Sequence, residues 1–160
     1  MRIGQGFDAH RFAKGRRLII GGVQIDHPEG LLGHSDADVL IHALVDALLG
    51  AAGLGDIGMR FPDSDPSYEG ISSLLLLKDV ADELRKSGFS ISNVDMTIIA
   101  EKPRIGPYRN SILSTLSTTL GIDQSRMNLK ATTTEKMGFT GRQEGIAASA
   151  VALLKRSENS

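Results

Sequence analysis

Two short stretches carry side chains that could hold a metal ion. Asp8 and His10 stand near the start, and His42 follows the polar cluster His34-Ser35-Asp36-Ala37-Asp38. Side chains alternate along an extended segment, so positions 8 and 10 point to the same side and can grip one ion. We read Asp8, His10 and His42 as converging on one metal, with His34 and Ser35 beside it. Each piece also has a plainer reading. Asp8-x-His10 could be a solvated strand end. His42 could be a core histidine hydrogen-bonded by Asp46, or Asp46 could orient a metal-bound imidazole. Further on, Thr132-Thr133-Thr134-Glu135-Lys136 gathers hydroxyls, a carboxylate and an amine at one strand end. Glu135 suits a hard cation, although a threonine run also reflects β propensity. Phe61-Pro62-Asp63-Ser64-Asp65 is either a solvated turn or a rigid presenter of carboxylates. Arg142 could hold a phosphate bidentately or pair with Glu144 on the surface.

Local patterns place these residues. Met1 to His10 reads as a strand, with Gly4 and Gly6 marking a close backbone approach. Arg17-Leu18-Ile19-Ile20 and Val23-Gln24-Ile25 flank Gly21-Gly22, a hairpin signal because glycine tolerates the positive φ such turns demand. Ser35 is placed as an N-cap with Asp38 in the capping-box position, opening a helix to about Ala52. Leu40, Leu44, Ala47, Leu48 and Ala51 give it an apolar face widened by Ile41 and Val45, so the stripe of Asp38, His42 and Asp46 lies on a buried helix. A helix from Ser72 or Ser73 to Ser87 follows, then a strand over 93–100. The loop Glu101-Lys102-Pro103-Arg104-Ile105-Gly106 could wrap a nucleobase and phosphate, or merely link elements. Pro107 opens a helix that Gly121 ends. A strand runs over 127–134, and Ile146, Ala147, Ala150, Val151 and Leu154 are spaced as a final helix. The expected fold is a two-layer α/β sandwich, a mixed sheet with helices on one face.

The chain has 160 residues, which suits one domain over 1–157 with a short polar tail at 158–160. Charged residues make up 23% and the formal net charge is −1, which argues against binding to a nucleic-acid backbone. There are no cysteines, so any transition metal must be held by His, Asp or Glu. No apolar run approaches the ~18 residues of a membrane span. The simplest compartment is the cytoplasm, with a mature organellar form also compatible.

Taken in order, five blocks resemble the 2-C-methyl-D-erythritol 2,4-cyclodiphosphate synthase family. They are Arg2-Ile3-Gly4-x-Gly6-Phe7-Asp8-x-His10, His34-Ser35-Asp36-x-Asp38-Val39, Gly55-Asp56-Ile57-Gly58, Phe61-Pro62-Asp63-x-Asp65, and Ala131-Thr132-Thr133-Thr134-Glu135-Lys136-x-Gly138-Phe139-Thr140-Gly141-Arg142-x-Glu144-Gly145. The resemblance implies a homotrimer with sites between subunits. It also implies conversion of 4-diphosphocytidyl-2-C-methyl-D-erythritol 2-phosphate to a cyclic diphosphate, with loss of CMP, in the non-mevalonate isoprenoid pathway. Carried over residue by residue, Asp8, His10 and His42 match zinc ligands, and Glu135 matches the ligand of a second cation, Mg²⁺ or Mn²⁺. His34 and Thr133 match positions that stabilise the transition state. Ala9 and Ser35 match substrate contacts beside the metal. Asp56, Ile57, Gly58, Phe61, Pro62, Asp63, Ser64 and Asp65 match contacts to the methylerythritol and ribose hydroxyls. Ala100, Glu101, Lys102, Pro103, Arg104, Ile105 and Gly106, with Thr132 and Thr133, match the cytidine pocket, and Thr134 matches a substrate contact. Phe139 and Arg142 match further substrate contacts, and an isoprenoid diphosphate is a candidate occupant of a central cavity. Gln5 stands where many members have His, and Arg104 where many have Lys, which keeps the charge but changes its geometry. Two other readings stay open: a metal-dependent phosphohydrolase, and a trimer that binds nucleotide or isoprenoid phosphates without turnover.

Overall fold

The computed structural model describes residues 1–157; the expected tail at 158–160 lies outside the described residues. Its strands are β1 (Arg2–Ala13), β2 (Leu18–Ile20), β3 (Val23–Ile25), β4 (Gly30–Leu31), β5 (Phe89–Ile99), β6 (Met127–Thr132) and β7 (Gly145–Arg156). Its helices are α1 (Val39–Ala52), α2 (Ile57–Arg60), α3 (Ser73–Lys86), α4 (Arg109–Leu120) and α5 (Gly138–Gly141). The main sheet has the order β4-β1-β7-β5-β6, and β2 and β3 form the expected hairpin apart from it. Only the β5–β6 pairing is parallel, so the sheet is mixed. Helix α1 packs on β1 and β7, α3 on β5, and α4 on β6. This is the two-layer sandwich with helices on one face.

The centre of the packing is the crossing of α1 over β1. A Cβ on Gly4 would stand 2.0 Å from the carbonyl oxygen of Ala47, and one on Gly6 1.9 Å from that of Ala43. The two glycines therefore let the helix backbone lie directly on the strand. Residues of β1 alternate, so Ile3 and Phe7 point to the opposite face of the sheet, where they are 72% and 55% exposed.

Two expectations are corrected. The segment expected as a final helix is strand β7. It pairs with β1 along one edge, from Arg2↔Leu154 to Arg11↔Gly145, and with β5 along the other. Ile146, Ala148, Ala150, Ala152 and Leu154 alternate into the core beneath α1. Alanine fits a helical spacing as well as a strand, and two waiting strand edges settle the choice. Ser35 is likewise not the N-cap of α1. Asp38 is, accepting the backbone N–H of Ile41 at 3.1 Å. Ala37 has φ +55°, outside the right-handed helix, so the helix cannot begin earlier.

The Asp38 carboxylate also accepts the backbone N–H groups of Gly21 and Gly22 at 2.9 and 2.7 Å. One buried side chain thus ties the β2–β3 turn to the start of α1. Burial raises its pKa, the neighbouring Asp36 charge adds to this, and the three N–H groups oppose it. Among the described residues no helix is long and apolar enough to cross a membrane.

Candidate active site

Beyond the level where Gly4 and Gly6 meet α1, β1 presents Asp8 and His10 on the same side, facing His42 from α1. Asp8 Oδ2 lies 2.8 Å from His10 Nε2 and 3.1 Å from His42 Nδ1. The two imidazole nitrogens are themselves 3.1 Å apart. Among the described residues these three form a group able to hold a metal ion. Ligands at about 2.0–2.1 Å from a tetrahedral ion stand roughly 3.3 Å apart, so the donor atoms need to spread only slightly to accept one.

The other ring nitrogens are already engaged, and this decides the tautomers. His10 Nδ1 donates to the carbonyl of Leu32 at 2.7 Å, leaving Nε2 for the shared point. His42 Nε2 lies 3.1 Å from Ser35 Oγ and 3.0 Å from Ser73 Oγ, leaving Nδ1. Ligated histidines are oriented in this way. The carboxylate expected to orient His42 is employed elsewhere. Asp46 accepts the backbone N–H of Ile57 at 2.8 Å and so fixes the start of α2. Burial raises the Asp46 pKa, with the Asp56 and Asp8 charges adding and the Ile57 N–H opposing. Burial alone would also raise that of Asp8, but hydrogen bonds and charge from His10 and His42 hold it well below the carboxylate range. Burial would lower the pKa of His10; Asp8 and the Leu32 carbonyl overcome this and raise it, against opposition from Arg16.

The surrounding recess has a volume of about 240 Å³ and includes His34, Ser35, Gly58, Phe61 and Asp63 among its lining residues. His34 Nε2 donates to the carbonyl of Asp65 at 3.3 Å, and its own carbonyl accepts from the N–H of Gly70 at 2.8 Å. The polar loop and the 61–70 segment are thereby laced together. Ser35 Oγ accepts the N–H of Ala37 at 3.2 Å as well as that of His42, so its own proton is free to donate into the recess. Of the other carboxylates expected here, Asp56 and Asp65 act as local caps, accepting from Met59 at 2.8 Å and Ser67 at 2.9 Å. Ile57 lines the recess, whereas Ala9, Pro62 and Ser64 do not. Sequence reasoning missed Tyr68, Leu76 and Gly33 in this lining, and Ser73 and Asp36 behind it. Apolar residues and a helix-start serine carry no local mark of a site.

A second cleft, of about 680 Å³, lies at the far edge of the same end of the sheet. It is lined by Ala100, Glu101, Pro103, Arg104, Ile105, Gly106, Thr132 and Thr133, with Ile98, Pro107 and Ala131 besides. Lys102 and Thr134 do not line it; Thr134 donates to the carbonyl of Met137 at 2.6 Å. Glu135 is exposed in the turn after β6 with φ +52°, outside the metal group. Phe139 lines neither cavity, and Arg142 pairs with Glu144 at 2.8 Å, the plainer of its two readings. The two cavities share no lining residue. Strands β1 and β6 are separated by β7 and β5, three inter-strand steps or about 14 Å.

Comparison with known proteins agrees with this geometry. The model of the YgbB family matches residues 1–155. The 2-C-methyl-D-erythritol 2,4-cyclodiphosphate synthase of Syntrophomonas wolfei is 54% identical over 98% of this chain and 100% of its own. That of Halothermothrix orenii is 58% identical over 96% of this chain and 93% of its own. Among solved structures, the bifunctional IspDF of Campylobacter jejuni matches with a TM-score of 0.95 and 45% identity over 98% of this chain, which spans 42% of that longer one. A CDP complex of IspF from Plasmodium falciparum matches with a TM-score of 0.86 and 36% identity, over 98% of this chain and 97% of its own. The chain therefore belongs to the YgbB family, as one of its 2-C-methyl-D-erythritol 2,4-cyclodiphosphate synthases.

Proposed function

We propose that the protein converts 4-diphosphocytidyl-2-C-methyl-D-erythritol 2-phosphate into 2-C-methyl-D-erythritol 2,4-cyclodiphosphate and CMP, on the non-mevalonate route to isoprenoid precursors. An oxygen of the 2-phosphate forms a bond to the β-phosphorus. The bond from that phosphorus to the oxygen bridging it to the α-phosphorus breaks, and CMP leaves with that oxygen. The observation that carries the reading is the convergence of Asp8, His10 and His42 at one point of a recess that also presents Ser35 and His34.

In this reading Asp8, His10 and His42 hold zinc, and Glu135 with the substrate phosphates holds Mg²⁺ or Mn²⁺. When bound, the ions supply positive charge that offsets the repulsion between the reacting phosphates. The attacking group is already an anionic oxygen, so the chain needs to supply position and hydrogen bonds rather than a strong base. Ser35 has an unused hydroxyl proton to give a phosphate, and His34 is braced beside it. Thr133 presents its hydroxyl at the rim of the other cleft. The 100–106 loop with Thr132 and Thr133 takes the cytidine, a reading supported by the solved relatives that hold CDP. Asp56, Ile57, Gly58 and 61–65 surround the methylerythritol, with Ala9, Phe139 and Arg142 as further contacts.

In this reading the two cavities of one active site come from different copies of the chain, which is supported by their sharing no lining residue. We assign the site to the junction of adjacent subunits in a homotrimer. Ile3, Phe7 and Val151, exposed on the face of the sheet away from the helices, are the apolar surface available for such contacts. An isoprenoid diphosphate is a candidate occupant of a cavity at the centre of that trimer.

Phosphorus NMR on the protein with this substrate, with and without a chelator, tests the reading. Metal-dependent appearance of CMP and a cyclic diphosphate is expected. CMP with an open-chain bisphosphate would assign a hydrolase instead, and no turnover by metal-loaded protein would assign a binding protein.

A further inference from the structure

His42 is held from behind by a directed chain of hydrogen bonds. Ser73, the first residue of α3, is fully buried, with its hydroxyl oxygen 3.0 Å from His42 Nε2. The same hydroxyl lies against a carboxylate oxygen of Asp36. A hydroxyl has one proton and a carboxylate has none, so Ser73 must donate to Asp36 and accept from the imidazole. The proton of His42 therefore sits on Nε2, and the lone pair of Nδ1 faces Asp8 and His10.

Asp36 is itself fixed by the backbone. Its carboxylate accepts the N–H of Ser73 at 3.0 Å and that of Asp38 at 3.2 Å, and its own N–H donates to the carbonyl of Ile71 at 3.1 Å. Ser72, the N-cap of α3 by position, makes no side-chain cap bond. Asp36 supplies that cap from 37 residues away. The carboxylate that seats α3 thus also sets the direction of the chain ending on His42.

We infer that Asp36 and Ser73 are positioning residues that set the tautomer of His42 for metal binding. This rests on the reading that Asp8, His10 and His42 hold the ion. Asp36→Ala is the sharp variant. An asparagine could keep its amide oxygen on both the Ser73 hydroxyl and the Asp38 N–H, whereas removing the carboxylate leaves the Ser73 hydroxyl proton without its acceptor. The hydroxyl proton turns toward His42 Nε2 and drives the imidazole proton to Nδ1, where it competes with the ion. Ser73→Ala is the milder variant, because it keeps the Ser73 N–H on Asp36 and leaves Ser35 as an acceptor for His42.

Two measurements on the full-length protein test this. Nitrogen-15 NMR of labelled histidine in the metal-free protein reports which nitrogen of His42 is protonated. Competition with a chromophoric chelator reports zinc affinity. In the wild type the proton is expected on Nε2, and in Asp36→Ala its population shifts toward Nδ1. Zinc affinity is expected to fall by about 10- to 100-fold in Asp36→Ala and by less in Ser73→Ala. Ser72→Ala, at the same helix start, should change neither reading. Zinc affinity within about twofold of wild type in both chain variants overturns the inference. So does weakened binding in Asp36→Ala with the proton still on Nε2, since that is a merely structural effect. A wild type that fails to bind zinc overturns the metal reading instead, and the tautomer measurement in metal-free protein still decides the role of Asp36.

Discussion

His10 Nε2 and His42 Nδ1 lie 3.1 Å apart, and each ring has its other nitrogen turned to a fixed acceptor. Two imidazoles brought this close with Asp8 between them form a group that could hold a metal ion, in competition with the proton that Asp8 helps His10 to retain. Its properties therefore depend on pH in a definite direction.

In metal-free protein Asp8 titrates well below 3.8 and His10 above 6.5. The lowered Asp8 pKa contributes stability above 3.8 that is lost as pH falls through its folded value. The raised His10 pKa contributes stability below 6.5 that is lost as pH rises through its folded value. The pair is therefore most stabilising between those two ordinary values. Urea unfolding of metal-free protein across pH should show this plateau in the difference between wild type and Asp8→Asn. A difference that is flat through both edges would contradict it.

Zinc must displace the proton that Asp8 helps His10 to retain. Zinc affinity is expected to fall by up to about tenfold per pH unit below the folded pKa of His10. Chelator competition at a series of pH values measures the slope. His10→Ala should lower affinity throughout and flatten this dependence.

His42→Ala should lose bound zinc and nearly all turnover while keeping its fold, since the cavity left is lined partly by polar groups. Metal analysis after gel filtration, with circular dichroism as the check on folding, separates the two effects. Wild-type zinc content in this variant would show that the ligand assignment is wrong.

Gly6→Ala should destabilise the protein without touching the metal ligands. The added methyl would stand 1.9 Å from the Ala43 carbonyl oxygen, and α1 must shift to admit it. Such overpacking costs about 1–3 kcal/mol or more, which lowers the melting temperature by roughly 2–4 °C for each kcal/mol. Thermal denaturation of metal-free protein measures it.

If each active site joins two subunits, two inactive variants should complement. His42→Ala damages one cavity and Thr133→Ala the other. Random mixing at equal amounts would leave about a quarter of the junctions intact. Activity recovered after co-refolding, and absent from either variant alone, is the expected result. No recovery despite confirmed subunit exchange would place both cavities in one copy.

The sequence by itself determined which side chains could hold a metal ion and what faces they share. Asp8 and His10 alternate onto one side of a strand, Leu40, Leu44 and Leu48 bury α1, and Gly21-Gly22 turns the hairpin. These are local facts, because backbone periodicity alone sets them. The tertiary structure decided what each face meets. Residues 145–156 have alanines spaced for a helix, yet they form a strand because β1 and β5 offer unpaired edges on both sides. Asp46 has the spacing to reach His42, yet it accepts from Ile57, while Ser73, 31 residues from His42, takes the imidazole proton. The cap of α3 likewise comes from Asp36 rather than from the adjacent Ser72. Partners this far apart in sequence meet only once α1 and α3 have packed, so no local pattern could encode them.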